Sequence, residues 1–138
     1  MSKKRVEKLK IAVIGAGSWG TALAWLLGQN GHEITLWAYE QEVVAAVNIH
    51  HENTAYLPGV VLPKSIHATS DIAQALSGAK WVLFVVPSHV ARDVLSIMRP
   101  FLSSKTPVIS ATKGIERKTL MLISEVIRET LGRKNDDQ

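Results

Sequence analysis

Apolar positions in this chain fall into short runs and stripes that switch between two periods. Ile11 to Ile14 is a continuous apolar run that enters three glycines, and beyond them Trp19, Leu23, Leu26 and Leu27 recur at helical spacing. This predicts a strand, a tight turn and a helix over Ser18–Gln29, with Asn30-Gly31 as its left-handed exit. Glu33–Ala38 reads as a second strand and Gln41–Val47 as a short helix with Val43, Val44 and Val47 on one side. The polar stretch Asn48–Val60 has no clear period and reads as an ordered loop. Ile66–Thr69 is a brief edge strand, followed by a small helix, Ile72–Leu76, that Ser70 or Asp71 caps and Gly78 ends. Trp81–Val86 is apolar at every position, the pattern of a strand covered on both faces. Ser88 then caps a helix with the stripe Val90, Val94, Ile97 and Met98, and Pro100 ends it. Pro107–Ser110 is a further strand and Thr112-Lys113-Gly114 a loop. The last helix is Thr119–Leu131, with Leu120, Ile123, Ile127 and Leu131 inward and Gly132 as its stop.

Strands that alternate with helices at such short intervals pair in parallel through right-handed crossovers. The fold class is therefore α/β, a doubly wound parallel sheet of the Rossmann type in three layers, α/β/α, with strand order 3-2-1-4-5. One domain spans residues 9–132, between a basic flexible tail at 1–8 and a polar tail at 133–138. In that order the strand ending at Ser110 is left with an open side, which invites self-association through the sheet edge.

Length and composition narrow the picture without changing it. At 138 residues the chain buries a core without staples, and the absence of cysteine excludes a disulfide framework and a thiolate metal site. Much of the net charge of +4 comes from Lys3, Lys4, Arg5, Lys8 and Lys10 against Glu7, a solvated tail and not a nucleic-acid arm. The start imitates a secretion signal, with Ala22-Leu23-Ala24 as a cleavage look-alike. Three glycines interrupt its apolar region, however, and cleavage would remove the first strand. No apolar run approaches the roughly eighteen residues of a membrane span, and a cytoplasmic protein is expected.

The candidate chemistry begins at Gly15, Gly17 and Gly20, which fit G-x-G-x-x-G between a strand and a helix. The first glycine permits the tight turn, the second lets backbone approach a pyrophosphate, and the third lets helix pack on strand. The ligand's negative charge then rests on the helix N-terminus near Ser18. In such a sheet, ligands lie beyond the carboxyl ends of the strands at the switch point, where the glycine turn, Pro87-Ser88-His89 and Thr112-Lys113-Gly114 converge. Glu40 stands twenty positions after Gly20, the distance at which an acidic residue binds an adenosine ribose. Trp19 reads both as a ligand contact and as the first core residue of its helix, and His89 as a helix-start residue. His50, His51 and Glu52 suggest metal only superficially, because adjacent histidines cannot both face one ion; no metal site is expected.

Four blocks, Gly15-Ala-Gly-Ser-Trp-Gly-Thr-Ala22, Asn53-Thr-Ala-Tyr-Leu-Pro-Gly59, Val86-Pro-Ser-His89 and Ala111-Thr-Lys-Gly-Ile-Glu116, resemble in order and spacing the bacterial NAD(P)-dependent glycerol-3-phosphate dehydrogenases. The resemblance covers about residues 9–132, the cofactor-binding half of that family. It implies NAD(H) or NADP(H) as cofactor, and glycerone phosphate and sn-glycerol 3-phosphate as the substrate pair, a step that supplies phospholipid precursor. It implies cofactor contacts from Gly15, Gly17, Ser18, Trp19, Gly20, Tyr39, Tyr56, Pro87 and Lys113. Tyr39 would face the adenosine 2′ substituent, and Lys113 would reach both nicotinamide and substrate. Family members continue into a helical second half that holds the proton-donating lysine, so no catalytic residue is expected in this chain and the isolated chain is expected to be inactive. Two other readings stay open: a non-catalytic module that binds or senses nicotinamide nucleotide, and another dehydrogenase of the same broad group.

Overall fold

The first apolar run, β1 (Lys10–Ile14), is the middle strand of a five-stranded sheet and pairs in parallel with β2 (Glu33–Trp37) and β4 (Trp81–Phe84). A computed structural model of the protein describes residues 7–133. β3 (Ile66–Thr69) lies outside β2 and β5 (Val108–Ser110) outside β4, so the order is β3-β2-β1-β4-β5 with every pairing parallel, as the pattern predicts. Side chains alternate across β1, so Ile11 and Val13 enter one core while Ala12 and Ile14 enter the other. α1 (Ser18–Gln29) and α2 (Gln41–His50) cover the first core. α3 (Ile72–Leu76), α4 (Ala91–Met98) and α5 (Ile123–Leu131) cover the second. Among the described residues no helix is long and apolar enough to cross a membrane.

Several local expectations need correction. α2 runs on to His50, three residues past its predicted end, because Asn48 works from the helix: its side-chain amide donates to the Ala68 carbonyl and accepts from the Ala68 N–H, both at 2.8 Å. Those are outward-facing groups of β3, so Asn48 closes that edge of the sheet. β4 stops at Phe84 and not Val86, since β1 turns away at Gly15 and leaves Val86 no strand partner on that side; Trp81, at 40% exposure, is not covered on both faces. A short 3-10 turn, Ser88–Val90, precedes α4, and Leu95 takes the inward place predicted for Ile97, which is 48% exposed. α4 ends at Met98, and Pro100 lies in a second 3-10 turn, Arg99–Phe101.

The largest departure is at residues 115–122. Ile115 and Leu122 form an antiparallel bridge, Glu116 N–H donates to Met121 C=O, and Leu120 adopts a left-handed φ of 60° with an exposed side chain. Leu120 is thus not an inward helix residue. α5 begins only at Ile123, where the Glu125 carboxylate accepts the Leu122 N–H at 2.7 Å. Of the two candidate caps for α3 it is Asp71 that accepts from Ala73 and Gln74 N–H, and at the end of α1 Gly31, not Asn30, is left-handed.

Candidate functional site: a cleft at the sheet switch point

The three glycines are required for three different reasons. Gly15 ends β1 at φ +120°, donates its N–H to Trp37 C=O, and has Val85 so close that a Cβ would stand 2.7 Å from its carbonyl oxygen. At Gly20 a Cβ would overlap the Gly15 carbonyl, which is how helix and strand come to pack backbone against backbone. At Gly17 a Cβ would meet nothing within 4 Å: the space it faces is open. Gly17 also caps α1 without a side-chain hydrogen bond, and the first turn has no acidic residue. The first-turn N–H groups and the positive end of the helix dipole are therefore free to meet an anion.

A second loop crosses against this turn. Asn53 is fully buried; its Nδ2 donates to Ala16 C=O at 2.9 Å and to Thr21 Oγ1 at 2.8 Å, and its Oδ1 accepts the Tyr56 N–H at 3.2 Å. Ser18 Oγ donates to Tyr56 C=O at 2.7 Å, so its hydrogen is engaged within the protein and only its lone pairs remain for a ligand. Tyr56 in turn donates its hydroxyl to Glu40 Oε1. That bond to a carboxylate, with burial and the Glu40 charge, raises the phenol above its usual range.

On the other side of the cleft the loop after β5 is pinned by Ala111 N–H, which donates to Phe84 C=O at 2.9 Å, and by the Thr112 hydroxyl, which reaches the same oxygen. Lys113 Nζ lies over the Trp19 ring, 5.8 Å from its centroid, within cation–π range. Trp19 is 51% exposed, which corrects its reading as a core residue: its indole stands at the cleft mouth. Behind Lys113, Arg92 on α4 holds Glu116 through two bonds of 2.9 Å and reaches Glu129 on α5 at 3.4 Å.

These loops enclose one cleft of about 840 Å³, lined by Gly15, Gly17, Ser18, Trp19, Gly20, Tyr39, Tyr56, Pro87 and Lys113, together with Glu40, His89 and Asp93. The nine cofactor contacts expected from the resemblance all line this space, whereas Ser88 and Gly114 of the converging loops do not. Its volume is that of a site for a cofactor-sized ligand. The donor set fits a dinucleotide: free N–H groups at the helix end for the diphosphate, a carboxylate at the end of β2 for ribose hydroxyls, and a lysine at the far wall. Among the described residues no three His, Asp or Glu side chains gather as metal ligands. Asn53 and the Arg92–Glu116 pair were not singled out from the sequence. Both residues Asn53 and Glu116 sit in the matched blocks, but only the fold reveals what they hold.

Comparison with known proteins decides the family. Residues 10–137 match the family described as NAD-dependent glycerol-3-phosphate dehydrogenase N-terminus. The chain belongs to this family. A glycerol-3-phosphate dehydrogenase [NAD(P)+] of Geobacter sp. (strain M21) is 51% identical over 122 residues, which are 88% of this chain and 36% of that relative. The crystal structure of glycerol-3-phosphate dehydrogenase from Coxiella burnetii superposes with a TM-score of 0.85 at 38% identity, covering 91% of this chain and 38% of that one. The yeast Saccharomyces cerevisiae enzyme gives 0.82 at 28% identity, covering 91% and 40%. The resemblance read from the four blocks is borne out, and with it a nicotinamide cofactor, NAD(H) or NADP(H). The chain spans little more than a third of the length of these relatives.

Proposed function

We propose that this chain is the cofactor-holding part of an enzyme that interconverts glycerone phosphate and sn-glycerol 3-phosphate in the cytoplasm, a step that supplies phospholipid precursor. The observation that carries this reading is the convergence of the glycine turn, the Tyr56 loop and the Lys113 loop on one cleft in a member of this family. Gly15, Gly17, Ser18 and Gly20 form the diphosphate seat, with backbone N–H groups as donors. Tyr39, Glu40 and Tyr56 surround the adenosine end, and Trp19, Pro87 and Lys113 the nicotinamide end. When bound, the nicotinamide supplies or accepts the hydride. The chain's own residues orient the dinucleotide, and Lys113 offers its ammonium to the substrate's negative charge. The reaction also needs a proton donor and an enclosure that excludes water, which this reading assigns to the part of the relatives that the chain does not span. Self-association through the open side of β5 is part of the same proposal.

Joining this chain to the remaining part of the Geobacter relative tests the assignment. NADH oxidation dependent on glycerone phosphate is expected from the fusion and absent from either piece alone. A fusion that folds, binds NADH and leaves glycerone phosphate untouched would favour the non-catalytic nucleotide-binding reading.

A further inference from the structure

We propose that Asn53 is a positioning residue for the cofactor: it fixes the orientation of the Ala16–Gly17 peptide, so that the Gly17 N–H points at the ligand's diphosphate. This rests on the dinucleotide reading of the cleft.

The carbonyl oxygen of Ala16 and the N–H of Gly17 belong to one planar trans peptide, so they point in opposite directions. Asn53 Nδ2 holds that oxygen at 2.9 Å from the protein side, and the Thr21 hydroxyl reaches it at 3.3 Å. Asn53 and Thr21 are both fully buried and Ala16 is nearly so. With its oxygen drawn inward, the peptide turns its N–H outward. The Gly17 N–H has no partner among the described residues, and Gly17 lines the cleft facing open space. Rotation of this peptide would present a carbonyl dipole to an anion instead of a donor, and a glycine at position 17 offers little steric resistance to that rotation. The restraint must come from elsewhere, and Asn53 supplies it.

The chemistry admits asparagine and little else. The amide needs a donor end for Ala16 C=O and Thr21 Oγ1 and an acceptor end for the Tyr56 N–H, which also fixes which end is which. Aspartate has the length but no donor, alanine neither. One side chain thus sets the glycine turn and the loop bearing Tyr56. That loop keeps two further ties, Ser18 Oγ to Tyr56 C=O and Leu57 N–H to Asn53 C=O, which survive a change of the Asn53 side chain.

The test compares ADP, which carries a diphosphate, with adenosine, which does not, on the 138-residue chain and its Asn53→Ala, Asn53→Asp and Thr21→Val variants. Asn53→Ala is expected to weaken ADP about tenfold or more while adenosine stays within about threefold, with Asn53→Asp weaker still because a carboxylate repels the Ala16 oxygen. Thr21→Val removes one donor to the same oxygen and should cost ADP severalfold; it carries the test if the Asn53 variants do not fold. Without any ligand, the NMR shifts of the Ala16 carbonyl carbon and the Gly17 amide should move in the variants. ADP binding unchanged in variants that fold, or a parallel loss of ADP and adenosine, would overturn the role of Asn53. Failure of the unmodified chain to bind ADP or NADH would overturn the dinucleotide reading instead, and the carbonyl and amide shifts would still decide the peptide's restraint.

Discussion

Arg92 grips Glu116 through two parallel bonds of 2.9 Å, and this pair anchors the loop that ends in the Lys113 side of the cleft. The Thr119 hydroxyl adds a third bond to the same carboxylate at 2.6 Å. Arg92 first, then Thr119, pull the Glu116 carboxyl from its ordinary 4.5 down to about 2. A depressed carboxylate stabilises the fold at every pH above its unfolded value and loses that contribution as pH falls toward the folded value. Glu116→Gln is therefore expected to lower the melting temperature at pH 7, with the gap to the unmodified chain narrowing from about pH 4.5 downward and closing near pH 2. A gap of equal size at pH 7 and pH 3 would contradict the assignment. The pair is partly exposed, so its effect should also shrink in high salt.

The same substitution at two glycines should give opposite results. Gly20→Ala forces a methyl into the Gly15 carbonyl and is expected to destabilise the fold by about 3 kcal/mol. Gly17→Ala has open space and an ordinary φ of −71°, so stability should change by no more than about 1 kcal/mol. Its methyl instead occupies the diphosphate's approach, and NADH affinity should fall about tenfold or more. Thermal melts beside NADH titrations on both variants check this; binding retained by Gly17→Ala would remove the diphosphate from that position.

The sheet order and the cofactor half were legible because they rest on local signals. Continuous apolar runs mark buried parallel strands, and the glycine turn has steric requirements that only glycine meets at Gly15 and Gly20. Leu120 misled because it falls at helical spacing from Ile123 and Ile127, while a hairpin-like closure between Ile115 and Leu122, tied to α4 by the Arg92–Glu116 pair, takes its segment out of the helix. Asn48 and Asn53 look alike in a polar stretch without period. One closes the β3 edge and the other braces the glycine turn, and both act on backbone distant in sequence, by 20 and 37 positions respectively. Such roles follow from tertiary placement, which no local pattern encodes.

Cofactor choice should follow the Glu40–Tyr56 contact. A carboxylate at the end of β2 accepts ribose hydroxyls and repels a 2′-phosphate, and Tyr56 holds it at the cleft. NADH is expected to bind at least as well as NADPH, and Glu40→Gln to shift the ratio of the two affinities toward NADPH. Fluorescence titration of both reduced cofactors decides; a tenfold or greater preference for NADPH in the unmodified chain would defeat the claim.

The two sheet edges differ, and association should follow the open one. On β3, Asn48 engages both outward groups of Ala68, and the Pro63 carbonyl accepts the Ile66 N–H. On β5, Pro107 C=O and Ala111 N–H bond inward to β4, which directs the polar backbone groups of Val108 and Ser110 outward, beside a half-exposed Ile109. Sedimentation should reveal concentration-dependent self-association that Ile109→Lys suppresses. A clean monomer at high concentration would count against the β5 edge.

The isolated chain should bind the cofactor without turning over substrate. NADH is titrated by its fluorescence, and on the same sample its oxidation is followed with glycerone phosphate present. Saturable binding that Gly17→Val abolishes and Lys113→Ala leaves nearly intact at the adenosine end is expected, with no measurable oxidation. Turnover at the rate of an ordinary dehydrogenase, or no binding of either reduced cofactor by the unmodified chain, would contradict it.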